Sequence, residues 1–89
     1  MNIEVLFFGQ LRELTEVPRT IVEIEDSASL ADLVESLVGI YGVAFRNKAD
    51  SIKGLRILIN GREYNVLDGM ETLLKDGDTV AFLPPIAGG

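Results

Sequence analysis

The sequence predicts an α+β fold in which one main helix packs across one face of a sheet, and three observations carry that expectation. Several short segments of β-branched and aromatic residues alternate at period two. One segment repeats its apolar residues at helical spacing over three turns. Turn dipeptides of the Asn-Gly and Asp-Gly kind separate the later segments. Strand, strand, helix, strand, short hairpin and strand is an order that stacks a helix on a sheet. The 89 residues leave room for a single core.

The run Ile3-Glu4-Val5-Leu6-Phe7-Phe8 reads as the first strand, with Ile3, Val5 and Phe7 on one face and Glu4, Leu6 and Phe8 on the other. The second of these faces starts polar and ends apolar. Residues 10–14 suit a helical turn. Residues 20–24 form a second strand whose start is blurred by Pro18 and Arg19. Ser29, three residues before Asp32, makes a capping-box-like pair ahead of an apolar repeat. Leu30, Leu33, Val34, Leu37, Val38 and Tyr41 then fall on one stripe, so a helix starts at Leu30 and Gly42 ends it. In residues 43–54, Phe45 stands among Arg46, Asn47, Lys48, Asp50 and Lys53, and the expectation is one long loop with at most a helical turn of its own.

Residues 55–59 are a third strand, and Asn60-Gly61 supplies the positive φ angles of a type I′ hairpin turn. The chain doubles back through Arg62-Glu63-Tyr64. Asp68-Gly69 and Asp76-Gly77 mark two more turns, with Leu73 and Leu74 between them as core residues. Residues 79–83 are the last strand. Alternation sends Val80, Phe82, Ile57 and Ile59 inward and Thr79, Ala81, Leu83, Arg56 and Leu58 outward. Leu6, Phe8, Leu58 and Leu83 then form an apolar patch on the open sheet face, expected to dock a partner unless residues 43–54 cover it. Tyr41 and Tyr64 are read as packing residues.

Composition excludes whole classes of chemistry. There is no cysteine, which removes disulfides and thiolate sites and is compatible with a reducing, cytoplasmic setting. Histidine is absent as well. Without either residue type the usual zinc ligands and the commonest general base are missing, so no metal site and no self-contained hydrolase are expected. A formal charge of −6 repels nucleic-acid phosphate and anionic membranes, so neither is an expected partner, and the steering charge on a protein partner should be basic. The N-terminus has no basic region before its four-residue apolar run, so it does not read as a signal peptide. The most apolar stretch, residues 33–45, is broken by Glu35, Ser36, Gly39 and Gly42, short of the roughly 20 residues of a membrane span.

After Leu83 the sequence changes character. Pro84-Pro85 favours extended chain without ladder bonds, and Ile86, Ala87, Gly88 and Gly89 follow. The expected organisation is a domain over residues 1–83 and a flexible tail over residues 84–89, with a reach of roughly 20 Å at about 3.3 Å per residue. A glycine carboxylate at the end of such a tail has a defined use. Once adenylated it becomes an acyl group open to sulfide, thiol or amine, and without a Cβ its carbonyl carbon is unhindered. The chain carries no base or metal site of its own, so ATP and magnesium are expected on an activating partner.

The runs Ile3-Glu4-Val5-Leu6-Phe7-Phe8-Gly9-Gln10-Leu11-Arg12-Glu13-Leu14 and Asp76-Gly77-Asp78-Thr79-Val80-Ala81-Phe82-Leu83-Pro84-Pro85-Ile86-Ala87-Gly88-Gly89 resemble the MoaD family, the small, ubiquitin-like subunits of molybdopterin synthase. The second run is the more specific. The resemblance implies a β-grasp fold with first and last strands parallel at the centre of a mixed sheet. It also implies a cycle in which a ubiquitin-activating-type, MoeB-like enzyme adenylates Gly89 and sulfur converts it to a thiocarboxylate. A MoaE-like large subunit then uses that sulfur to build the dithiolene of molybdopterin. Residues 43–53 and 62–74 match nothing specific. Sister families share fold and diglycine, so a protein modifier or a carrier for transfer RNA thiolation stays open, as does a plain β-grasp interaction module.

Overall fold

The computed structural model describes residues 1–86. Its elements run β1 (Asn2–Phe7), α1 (Gly9–Thr15), β2 (Arg19–Glu23), α2 (Leu30–Tyr41), α3 (Val43–Ser51), β3 (Arg56–Ile59) and β4 (Arg62–Glu63). Two 3-10 turns (Tyr64–Val66 and Gly69–Glu71) lead to β5 (Thr79–Leu83). The strands form one mixed sheet in the order β2-β1-β5-β3-β4. β1 and β5 pair in parallel at its centre, from Glu4 opposite Thr79 to Phe7 opposite Phe82, and every other pairing is antiparallel. This is the β-grasp arrangement expected from the resemblance.

Strand alternation holds throughout. Ile3, Val5, Phe7 and Val80 have no exposed surface, and Ile57, Ile59 and Phe82 are buried beside them. Each such side chain contributes about 1.5–3 kcal/mol on leaving water, which is what holds a domain without disulfides together. The Asn60-Gly61 turn has φ of 52° and 83°, the positive pair of the expected type I′ hairpin.

α2 begins in the predicted capping box. The Ser29 hydroxyl accepts from the Asp32 amide at 3.2 Å, and the Asp32 carboxylate accepts from the Ser29 amide at 2.9 Å. Such a cap contributes about 1 kcal/mol. Leu30, Leu33 and Leu37 face the core without exposure, Val34, Val38 and Tyr41 flank them half-buried, and Gly42 ends the helix.

Two expectations are corrected. Residues 43–54 are not a long loop, because Val43–Ser51 form α3. The segment lacks a side-chain cap and carries only a narrow apolar stripe, Phe45, Ala49 and Ile52, so tertiary packing makes the helix. Phe45 is fully buried with its ring about 6.0 Å from those of Phe7, Tyr41 and Phe82. Leu73 is the second correction. It is 63% exposed, whereas Leu74 is 3% exposed. Leu73 sits in an extended bridge with Ser29, where adjacent residues point opposite ways and only one can enter the core.

All three helices pack on one side, since Leu11 of α1, the α2 leucines and Phe45 of α3 share the core with the inward strand residues. α3 therefore does not cover the opposite sheet face. No helix among the described residues is long and apolar enough to cross a membrane.

Candidate functional site

The outer face of the sheet is assembled from residues that alternate with the core. Leu6 of β1 lies opposite Ala81 of β5, and Ala81 lies opposite Leu58 of β3, so the three form one row across the centre. Leu83 follows one step on, opposite Arg56. Phe8 runs beside it, its amide donating to the Phe82 carbonyl at 3.2 Å. Leu6, Leu58 and Leu83 are half-buried and Phe8 is 40% exposed. The four residues singled out from alternation are thus brought together on one surface.

Charged pairs bound this surface on both sides. On the β2 side Arg19 donates to the Glu4 carboxylate, which also accepts from the Thr79 hydroxyl at 2.9 Å. The Arg19 hydrogen bond, followed by that of Thr79, holds the Glu4 carboxyl below its ordinary value. On the β4 side Arg56 binds Glu63, with nitrogen to oxygen distances of 2.6 and 2.7 Å. An apolar centre with a polar rim is the anatomy of a recognition surface. Ile21 extends it. It lies opposite Glu4 on β2 and is 49% exposed. Ile21 is not among the patch residues expected from the sequence, although Val22 pointing inward requires its neighbour to point out.

The tail springs from the same end of the sheet. β5 stops at Leu83, and Pro84, Pro85 and Ile86 are exposed. Pro84 lies against Gly9 and Pro85 against Gly54, where added Cβ atoms would stand 3.6 and 3.1 Å from the proline Cβ atoms. Neither glycine was singled out as a site residue, since their proximity to the tail is tertiary. Ala87, Gly88 and Gly89, expected to carry the chemistry, lie outside the described residues. Among the described residues no three carboxylates converge as a metal site would require.

A model of the ThiS family matches residues 5–89. The chain belongs to the ThiS family. It is 40% identical to small archaeal modifier protein 3 of Haloferax volcanii, with both chains covered in full. It is 35% identical to the molybdopterin synthase sulfur carrier subunit of Drosophila melanogaster, over 100% of this chain and 92% of that one. Among solved structures, the Haloferax volcanii HVO 2177 protein in solution is 39% identical, with a TM-score of 0.79 over 100% of this chain and 87% of that one. One chain of the complex of subunits 1 and 2 of molybdopterin-converting factor from Helicobacter pylori matches over 100% of this chain and 100% of that one, at 27% identity and a TM-score of 0.65. The MoaD resemblance is thereby met, and the chain is a ubiquitin-like member of the ThiS and MoaD group, to which both carriers and modifiers belong.

Proposed function

We propose that this ThiS-family chain is the sulfur carrier of molybdopterin synthesis, working through the carboxylate of Gly89. A carboxylate oxygen of Gly89 attacks the α-phosphate of ATP on a MoeB-like activating enzyme that holds magnesium, and pyrophosphate leaves. Sulfide sulfur, delivered by a donor on or beside that enzyme, attacks the acyl carbon, AMP leaves, and a thiocarboxylate remains. In complex with a MoaE-like large subunit the thiocarboxylate sulfur bonds to a carbon of the pterin precursor, and water then cleaves the acyl–sulfur bond, so the sulfur stays on the pterin and the carboxylate returns. The observation that carries this reading is the continuity of the Leu6, Phe8, Leu58 and Leu83 surface with the Pro84-Pro85 root. A partner can grip the body there while the tail enters its active site. Likeness to a named sulfur carrier subunit and to a chain of the complex of subunits 1 and 2 of molybdopterin-converting factor supports the same reading.

A second reading is favoured by the 40% identical modifier protein: the activated glycine is joined to lysines of other proteins. Mass spectrometry of the protein from its native host separates the two. A gain equal to one oxygen replaced by sulfur at Gly89 supports the carrier. Diglycine remnants on lysines of other proteins, with no such gain, favour the modifier. Deleting Gly88 and Gly89 is expected to abolish sulfur loading while changing stability by less than about 0.5 kcal/mol, read by thiocarboxylate formation beside thermal melts. A much earlier melt would make these residues structural.

A further inference from the structure

The turn after α3 and the root of the tail meet at Gly54. The Leu55 amide donates to the Ile52 carbonyl at 3.3 Å, and Gly54, third in this turn, has φ of 74°. That is the type II pattern, which calls for glycine or asparagine at this position. Turn chemistry is not the whole account of Gly54. Six described glycines have positive φ: Gly9, Gly42, Gly54, Gly61, Gly69 and Gly77. At four of them a Cβ would meet nothing within 4 Å. At Gly9 and Gly54 it would meet a tail proline, at 3.6 Å from Pro84 and 3.1 Å from Pro85.

We propose that Gly54, with Gly9, forms a notch that sets the direction in which Pro84 and Pro85 leave the sheet, making Gly54 a positioning residue for the reactions at the tail's end. The inference rests on the carrier reading above. Two successive prolines have fixed φ, so a direction set at their base carries along the tail instead of being lost at the first free rotation. A Cβ at 3.1 Å from Pro85 forces the ring to yield. At Gly9 an added Cβ would stand 3.6 Å from the Pro84 Cβ, an ordinary contact distance, so Gly54 is the tighter of the two.

Matched variants isolate this contact from backbone strain. Gly54→Asn and Gly61→Asn both put the side chain most tolerant of positive φ at similar angles, 74° and 83°. Only the first brings a Cβ against the tail. Three readouts are compared: thermal melting, residual dipolar couplings of the Ile86 amide, and thiocarboxylate formation with ATP, magnesium, sulfide and the activating enzyme. Similar melting losses are expected for the two variants. Gly54→Asn should also alter the Ile86 couplings and lower kcat/KM about tenfold, and Gly61→Asn should do neither.

A double-mutant cycle supplies the second test. Pro85→Gly removes the contacting Cβ, and in that background Gly54→Asn should lower the rate by less than about twofold. Unchanged Ile86 couplings in Gly54→Asn, or an equal penalty in the Pro85→Gly background, overturn the notch. A wild-type chain that takes up no sulfur overturns the carrier reading instead, whatever the couplings show.

Discussion

Ile3, Val5 and Phe7 have no exposed surface, while Glu4, Leu6 and Phe8, one position along the same run, keep part of theirs. The two faces of one strand divide the tasks of the molecule. On the inner face Phe7 stacks on Phe82 and meets Tyr41 and Phe45 edge-on, so each ring is held by several others. On the outer face Leu6, Ala81 and Leu58 form a single layer with no helix of the described residues above it. Alternation separates these roles by one residue, so a substitution can strike stability or recognition without striking both.

The largest effect that would sharpen this comparison is on the inner face. Phe7→Ala should cost about 3–5 kcal/mol, measured by denaturant unfolding, because it leaves a cavity among rings that cannot collapse together. A loss near that expected for an exposed residue would mean that the aromatic cluster is loosely packed. Leu83→Arg comes next. It should weaken binding to the activating enzyme or the large subunit by more than about 1 kcal/mol in calorimetric titration, with little change in melting. Intact affinity together with a large stability loss would break the comparison, by showing the outer leucines to be core.

The smallest effect belongs to the rim. The Glu4 carboxyl is held low by Arg19 and then Thr79, so its charged form is favoured in the folded state. Its stabilisation is therefore complete above the unfolded carboxylate value of about 4.3 and is lost as pH falls through the lower folded value. Glu4→Gln should melt slightly earlier than wild type near neutrality, and the two curves should converge in acid. Divergence in acid would contradict the assigned direction. The exposed setting keeps the effect small, as for most surface ion pairs.

How far these faces could be foreseen depended on whether the signal was local. Ile3, Val5 and Phe7 announced their side through period two, Ser29 and Asp32 marked the start of α2, and Asn60-Gly61 marked the hairpin. The patch residues Leu6, Phe8, Leu58 and Leu83 followed from the same alternation, although Ile21 was overlooked. α3 was not legible, because Arg46, Asn47, Lys48 and Asp50 dilute its stripe and its helicity rests on Phe45 reaching Phe7 and Phe82. Leu73 and Leu74 look alike in sequence, and the bridge to Ser29 decides which is buried. The notch at Gly54 joins residues far apart in the chain, which no local pattern records.

The tail continues β5, the strand hydrogen-bonded to both β1 and β3. A pull on the tail along the axis of β5 would load the bonds on its two sides together, because ladder bonds run across the strands and not along them. Rupture would then require many bonds to fail at once, whereas an edge strand pulled outward peels bond by bond. A machine that draws this protein in by its tail would feel the whole sheet resist, while one that gripped β2 would unzip it from the side.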